Sequence, residues 1–335
     1  MIIDTNKTHK HITIVILFLL IGMVTGCNNA PAPYLRIGTN VWPGYEPLYL
    51  ARELGFFSGS RIHLVEHGSA SSVISAFNNH TIDAAGVTLD EALQLLEYGH
   101  DIRIVLVMDI SHGADAIIAK PYIKTIAGLK NQRVAVENTA LGALVLSRAL
   151  EIADMKLVDI KVIKANIDEQ EKMYKTNMAD AVVTFDPVLT RLLNVGANKI
   201  FDSSQIPGEI VDVLVVRRDY IENNPAVINK LIATWFKTLQ YLKINPDKSF
   251  AQLSSRLQLT PNETRQAFNG ITLPDHALNQ KLIISDLGLR ASSLKLQEIM
   301  LKNKLIKSAV DTDLLFMDEL GINRHFSLGD TDDGK

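Results

Sequence analysis

Residues 37–57 constrain the fold more than any other stretch of the chain. They begin within a strand predicted over 35–41, break at Trp42-Pro43-Gly44-Tyr45 and continue into a helix. Pro47 lies at the first helical position, where the missing N–H of proline removes no hydrogen bond, and Gly55 follows as a C-terminal stop. The stretch is therefore a strand, turn and helix unit of an α/β fold. Ligands of open α/β sheets bind at such turns, so we expect its two aromatic side chains to line a small-molecule pocket.

Short apolar runs alternate with helical segments along the rest of the chain. Further strands are predicted over residues 61–66, 83–87, 103–107, 114–119, 133–136, 160–163, 181–184 and 212–216. Because most of these runs are apolar throughout, we expect parallel sheets covered by helices on both faces. The longest helix is predicted over 225–243, and only helices are predicted from there to about residue 326.

Several helices have recognisable starting signals. Capping boxes, or a capping side chain before a proline, occur at Thr88 with Glu91, Thr260 with Glu263, residues 168–171, Asp186-Pro187 and Asn224-Pro225. These signals place helices directly after the predicted strands.

The order of the segments predicts two lobes with a cleft and a hinge between them. The apolar runs at 114–119 and 212–216 bracket a self-contained α/β block. We therefore assign residues 34–118 and 213–326 to lobe 1, residues 119–212 to lobe 2, and residues 327–335 to a polar tail without fixed structure.

The N-terminus has the pattern of an export signal. Lys7 and Lys10 precede an apolar run over 12–24, which is short for a membrane span but suits a signal peptide. The run ends at Val24-Thr25-Gly26-Cys27, which resembles the bacterial lipobox. We expect residues 1–26 to be a signal peptide, Cys27 to carry the lipid, and residues 27–33 to form a tether. The alternative is a plain secretory signal with an incidental cysteine.

Composition and motifs exclude several classes of function. The chain has 335 residues and a formal net charge of −3, without the clustered basic face of a nucleic-acid-binding protein. Cys27 is the single cysteine, so disulfides are excluded, and the nine histidines have no metal-ligand spacing. No nucleophile elbow, P-loop or dinucleotide fingerprint occurs. We expect a binding protein, monomeric and not an enzyme, that uses no metal or cofactor.

Three motifs carry a resemblance to a known class of proteins. Residues 42–57 (WPGYEPLYLARELGFF), 82–91 (IDAAGVTLDE) and 182–187 (VVTFDP) are similar to motifs of solute-binding proteins of the nitrate/sulfonate/taurine class of ABC importers. The similarity covers roughly residues 34–270 and extends to the lipoprotein leader. It implies a two-lobed periplasmic-binding-protein fold of type II, which closes on a small ligand and delivers it to a membrane permease.

The loops at the carboxyl ends of the predicted strands are acidic. They contain ten Asp and Glu residues and no Lys or Arg. An anion could still bind at helix N-termini through free N–H groups. Repulsion from so many carboxylates favours instead an amine-bearing, zwitterionic or pyrimidine-like ligand, with Trp42 and Tyr45 stacking on a ring or contacting a cation.

The candidate ligand-binding residues follow from that placement. They are Trp42, Tyr45, Glu46, Ser69, Ser71, Ser72, Thr88, Asp90, Asp109, His112, Asp115, Glu137, Thr139, Asp186 and Glu209. Several have an alternative structural interpretation: Asp90, Asp168 and Asp186 also fit helix caps, Ser71 and Ser72 also fit caps, and Glu46 could compensate a helix dipole.

Two alternative functions are compatible with this fold. The protein could be a ligand receptor that reports to a membrane sensor kinase or cyclase, or an enzyme acting on pyrimidines or shikimate-derived acids. The export signal argues against the enzyme, because those reactions belong to the cytoplasm.

Overall fold

The computed structural model describes residues 33–317, so the predicted signal peptide, Cys27, nearly all of the tether and the tail lie outside the described residues. Eleven strands occur in that range: β1 (Leu35–Thr39), β2 (Ile62–Glu66), β3 (Ala84–Thr88), β4 (Ile102–Ser111), β5 (Asp115–Ala119), β6 (Arg133–Val136), β7 (Lys161–Lys164), β8 (Ala181–Phe185), β9 (Asn198–Asp202), β10 (Val211–Arg217) and β11 (Ile271–Thr272).

The described range also holds twelve α-helices. They are α1 (Glu46–Glu53), α2 (Ala70–Asn78), α3 (Leu89–Glu97), α4 (Ala140–Ile152), α5 (Ile167–Lys175), α6 (Val188–Leu193), α7 (Arg218–Asn223), α8 (Pro225–Ile244), α9 (Pro246–Leu257), α10 (Pro261–Phe268), α11 (His276–Ile284) and α12 (Ala291–Lys302). Among these described residues, no helix is both long and apolar enough to cross a membrane.

The strands form two sheets. The first has the order β11-β4-β10-β3-β1-β2, and the second has the order β7-β6-β8-β5-β9. Strand β1 is parallel to β2 and β3, and β6 is parallel to β7 and β8. Strands β10 and β5 are antiparallel to their neighbours, so the expected parallel pairing is found in only part of each sheet. The reason is that the chain passes between the sheets by direct strand connections, without the crossover helix that keeps successive strands parallel.

The boundaries between the sheets differ from the predicted lobe boundaries. Strand β5, predicted as the end of lobe 1, pairs with β8 and β9 in the second sheet. Asp212, predicted as the end of lobe 2, lies in β10 of the first sheet. The passages are therefore residues 112–114 and 203–210. The predicted lobe boundaries, between 118 and 119 and between 212 and 213, fall after these passages, because an apolar run shows that a strand is buried but not which sheet it joins.

Hydrogen bonds tie the two passages together. The Ser203 hydroxyl accepts from the backbone N–H of Gly113 at 2.6 Å and lies 2.8 Å from the Ser111 hydroxyl. The backbone N–H of Ser111 donates to the carbonyl of Ile210 at 3.1 Å. The chain thus leaves and re-enters the first sheet side by side.

Three apolar clusters form the core of the described residues. The largest surrounds the first sheet, extends to Ile118 and Val182 of the second sheet, and includes Trp235 of α8, which is fully buried. A second cluster lies between α4 and the second sheet and includes Phe201 of β9. A smaller third cluster joins α1 to the C-terminal helices through Leu50 and Leu253. The long helix α8 covers the predicted stretch and ends one residue later.

The two full capping boxes are confirmed at the backbone. Thr88 donates its N–H to Glu91 Oε2 at 3.2 Å, and Thr260 donates its N–H to Glu263 Oε2 at 2.7 Å. Helix α8 begins at Pro225 as predicted but without a capping bond from the Asn224 side chain, and α6 begins at Val188, one residue after the predicted Pro187. The box predicted at 168–171 is wrong by two residues, since the N–H of Asn166 donates to Glu169. Asn166 is favoured as the cap because its side chain can accept from the first turn, while Asp168 lies exposed within the helix.

Candidate functional site

The turn after β1 forms one wall of a cleft between the two sheets. Trp42 donates its indole N–H to Asp109 Oδ2 at 2.9 Å, and its ring meets the Phe185 ring edge-on at 5.4 Å between centroids. A Cβ atom at Gly44 would overlap the Asp109 carboxylate and the Trp42 indole nitrogen. Glycine is therefore required at this position, because the backbone of the turn passes directly against the carboxylate.

The first of two adjoining pockets contains these aromatic side chains, and we call it the aromatic pocket. It has ≈ 280 Å³ of empty volume, including the part open to solvent, and is lined by Asn40, Trp42, Tyr45, Ala70, Thr88, Glu91, Asp115, Leu141, Phe185 and Asp212. The Tyr45 hydroxyl donates to the Asp212 carboxylate. Both sheets contribute, since Trp42 follows β1 while Asp115 and Phe185 lie in β5 and β8.

The second pocket, which we call the polar pocket, lies against α4 and α5. It has ≈ 320 Å³ of empty volume, again including open space, and is lined by Ala70, Asp115, Glu137, Thr139, Leu141, Gly142, Val145, Gln170, Val183, Thr184 and Phe185. Thr139 also caps α4 by accepting from the N–H of Gly142 at 3.1 Å. The two pockets share four lining residues, so they lie side by side.

The carboxyl groups around this site are buried and have raised pKa values. Burial raises the pKa of Asp109 to about 8, and repulsion from Asp115 adds to it. Burial also raises the pKa of Glu91 to about 8, with Asp90 adding repulsion, and the pKa of Asp115 to about 7. The pKa of Asp212 lies well above its usual value for the same reason. Ionising these groups without a compensating cation is therefore unfavourable.

Several carboxylate oxygens in the site lack a hydrogen-bond partner among the described residues. They are Glu91 Oε1, Asp109 Oδ1, Asp115 Oδ2 and Glu137 Oε2. An unpaired buried acceptor costs about 1–3 kcal/mol, and more when it is charged. Lys, Arg and His are absent from the described lining of both pockets. A bound group that donates hydrogen bonds or carries positive charge would remove this cost.

One predicted carboxylate joins the two sides of the cleft. Glu137, which follows β6, accepts with Oε1 from the backbone N–H of Ser71 at 2.9 Å and from its hydroxyl at 2.7 Å. The same hydroxyl lies 3.2 Å from the Asn166 side chain. Because Ser71 lies at the start of α2 beside the first sheet, these contacts hold the cleft closed at one edge.

Two predicted ligand residues are occupied elsewhere. Glu46 is fully buried and accepts from Arg256 Nε through both oxygens at 2.9 Å. Glu209 forms a two-point ion pair with Arg148 at 2.7 and 3.0 Å. Neither lines a described pocket. The acidic loops have no cation in their own sequence, but the fold brings arginines to them from α9 and α4.

Some of the remaining predicted residues line the site, two lie next to it, and others do not reach it. Trp42, Tyr45, Thr88, Asp115, Glu137 and Thr139 line the site. Asp109 contacts it through Trp42, and Asp90 lies buried beside it. Ser69 caps α2 by accepting from Ser72, Asp186 accepts from the N–H of Thr190, and His112 is exposed. These last residues have structural roles or lie away from the described lining.

Sequence reasoning did not select several residues that line the pockets. They are Asn40, Glu91, Phe185, Asp212, Gln170 and Thr184. Glu91 and Asp212 belong to the acidic loops that the sequence indicates. Gln170 lies within α5, where no sequence pattern indicates a binding residue. Within residues 33–317, no cluster of three or more metal-ligating side chains occurs.

The chain is similar to known proteins in family, sequence and structure. The model of the NMT1-like family matches residues 28–257. An Escherichia coli protein described as binding aliphatic sulfonates is 24% identical over 202 residues, which cover 60% of this chain and 63% of that protein. A Brucella abortus binding protein is 24% identical over 174 residues, 49% of this chain and 53% of that protein, so the chain spans about half the length of that relative.

Solved structures show the same fold at low sequence identity. The periplasmic aliphatic sulphonate binding protein SsuA from Escherichia coli superposes with a TM-score of 0.69 at 21% identity, covering 87% of this chain and 99% of that chain. The desulfurization enzyme DszB reaches a TM-score of 0.63 at 16% identity, covering 88% of this chain and 99% of that chain. Periplasmic binding proteins and at least one enzyme therefore share this architecture. Since the family model covers well over half of its residues, the chain belongs to the NMT1-like family and has the two-sheet fold of periplasmic binding proteins.

Proposed function

We propose that this protein is an extracytoplasmic solute-binding protein of an ABC importer, and that its ligand carries a cationic group that donates hydrogen bonds. The observation that carries the ligand class is the set of buried carboxylate oxygens without partners in a site whose described lining has no cation. The family and the named binding relatives support the transport role.

The site differs from what a sulfonate would require. Sulfonates are anions, and they need cations or free N–H groups around their oxygens. Here Asp115 and Glu91, each with a carboxylate oxygen that has no partner among the described residues, line the same pocket. An ammonium or protonated ring nitrogen would pair with them, and Trp42 would add attraction between the cation and its π face. The binding mechanism would be closure of the cleft, with contacts from both sheets stabilising the closed state.

The first experiment is a thermal-shift screen of the protein from residue 28 onward. The panel contains nitrate, sulfonates, taurine and bicarbonate on one side, and amines and pyrimidines on the other. A ligand at one hundred times its Kd stabilises the folded state by about 2.7 kcal/mol, which is a measurable rise in melting temperature. We expect amines or cationic pyrimidines to raise it and simple anions to leave it unchanged.

The matched variants are Asp115→Asn in the site and Asp247→Asn on the surface. Because burial raises the pKa of Asp115 to about 7, removing its charge should raise the stability of the unliganded protein at pH 8 while weakening the amine at least tenfold. Asp247 is 94% exposed, so its variant should change neither. Shifts from anions alone would mean that helix N-termini hold the ligand and would overturn the cationic assignment.

We also propose that the chain is exported and anchored by a lipid on Cys27. The lipobox pattern supports this, and the family match begins at residue 28, directly after that cysteine. Cys27→Ser should move the protein from the membrane fraction to the soluble envelope fraction, with the unmodified chain as control. Continued membrane association of the variant would contradict the anchor.

A further inference from the structure

The polar pocket contains a set of acceptors that the aromatic pocket does not use. Four side-chain oxygens of this pocket lack a hydrogen-bond partner among the described residues. They are Gln170 Oε1, Thr184 Oγ1, Glu137 Oε2 and Asp115 Oδ2. Each of the four side chains is at least nine-tenths buried, and all four line this pocket. Two of them are neutral, so the feature is not an acidic cluster alone.

The Gln170 amide has a partner at one end only. Its Nε2 donates to the backbone carbonyl of Ala165 at 3.4 Å, and Oε1 has no partner among the described residues. Glu137 is arranged in the same way, since Oε1 accepts from Ser71 and Oε2 remains free. Hydrogen bonds elsewhere in the protein therefore hold these acceptors in place. Gln170 Oε1 can only accept, the Thr184 hydroxyl can rotate to accept, and the two carboxyl groups accept with both oxygens once they are ionised.

The two pockets are close enough for one molecule to occupy both. Ala70, Asp115, Leu141 and Phe185 line each of them, so Asp115 lies at their junction. A ligand whose cationic group lies beside Trp42 and Tyr45 would extend past Asp115 and Phe185 toward Gln170 and Thr184. Its far end would meet the unpartnered oxygens of Gln170, Thr184 and Glu137.

We propose that the ligand carries a second amine or similar donor-rich group, bound in the polar pocket by Gln170, Thr184, Glu137 and Asp115. This inference rests on the proposed function, because it names a second group on the same cationic ligand. The ligand class is therefore a compact molecule with two donor-bearing ends, and not a monoamine.

The test compares primary monoamines with α,ω-diaminoalkanes of the same chain length, from three to six carbons, by thermal shift and calorimetry. We expect one diamine length to bind about tenfold more tightly than its monoamine, because the second ammonium pairs with acceptors that the monoamine leaves unpaired. A short diamine should lose this advantage, since it cannot reach from one pocket to the other.

Two variants locate the second group, and one serves as control. Thr184→Val and Gln170→Met remove acceptors from the polar pocket with little change in volume, and should lower diamine affinity toward that of the monoamine. Thr264→Val is the matched control, because Thr264 Oγ1 is also buried without a partner in the described part of the chain but lies in α10, outside both pockets. It should leave both affinities unchanged.

The outcomes separate this inference from the proposed function. Binding of monoamines with no gain for any diamine would overturn the second subsite and leave the cationic ligand in place. A diamine gain that persists in both polar-pocket variants would place the second group elsewhere and would also overturn it. Failure of all amines to bind would overturn both proposals.

Discussion

At the scale of single residues, the pair of Glu46 and Arg256 links the ligand-binding turn to the C-terminal helices. Glu46 directly follows Tyr45 and is fully buried, while the Arg256 guanidinium lies over the Tyr49 ring at 3.2 Å from its centroid. The same arginine also pairs with Glu66. Burial raises the pKa of Glu46 to about 7, against the opposing effect of Arg256. The turn that positions Tyr45 therefore depends on a residue of α9.

Removing this arginine should destabilise the protein in a pH-dependent way. Arg256→Met keeps an apolar stem over Tyr49 but leaves Glu46 buried without its cation, which typically costs about 3–5 kcal/mol. The cost should be largest at pH 8 and smaller at pH 5, where Glu46 binds a proton. Urea unfolding at the two pH values measures it.

The matched control is Arg265→Met. Arg265 pairs with Asp247 at the surface and also lies over a ring, that of Phe250. An exposed pair of this kind contributes under about 1 kcal/mol. Equal losses for the two variants, or a loss for Arg256→Met that does not depend on pH, would contradict the role assigned to Glu46.

Some site residues could be predicted individually and others could not. The predictable ones lie at the ends of strands, and the end of an apolar run indicates where a strand ends. They are Trp42, Tyr45, Asp115 and Glu137. Arg256 could not be matched to Glu46, because the two are 210 positions apart. Gln170 was also invisible, since a polar residue in a charged helix reads as solvent-exposed until packing buries it.

At the scale of elements, the apolar runs predicted nine of the eleven described strands to within a few residues. The strands that were missed are β9 and β11, which cover Asn198–Asp202 and Ile271–Thr272. The first has a largely polar sequence and lies at the edge of its sheet, and the second has only two residues. Edge pairing depends on the neighbouring strand more than on the apolar content of the segment itself, so local pattern could not reveal it.

Strand direction was the other property that local pattern could not supply. The strands β5 and β10 are as apolar as β8 and β3 beside them, which have parallel partners on their other side, and each is fully or nearly fully buried. Direction is set by how the chain connects the sheets, and both connections are loops without a crossover helix. Burial follows from composition, while direction follows from topology.

At the scale of the whole molecule, the buried carboxyls predict that the unliganded protein loses stability as pH rises. A carboxyl whose pKa is raised on folding binds a proton more readily in the folded state, so stability falls between its unfolded pKa and its folded pKa. Burial raises the pKa of Asp90 to about 6 and that of Asp109 to about 8. A shift of two units corresponds to about 2.7 kcal/mol. Unfolding free energies should therefore decline from pH 5 to pH 8.

Carboxyls with lowered pKa values determine where the protein loses stability at acidic pH. A hydrogen bond from Arg133 lowers the pKa of Asp180, so its contribution is lost as pH falls through that lowered value. Maximum stability is expected near pH 5, and Asp115→Asn should flatten the decline above it. Urea unfolding across this range with and without a bound amine measures both effects. A stability that is constant or rising from pH 5 to pH 8 would contradict the prediction.

The hydrogen bonds at Ser203 bear on how a ligand would leave. Ser203 joins the passage after β4 to the passage before β10, so the two connections between the sheets bend as one ribbon. Two connections tied in this way are expected to bend together when the sheets move apart. Such an opening would separate Ser71 at the start of α2 from Glu137 after β6.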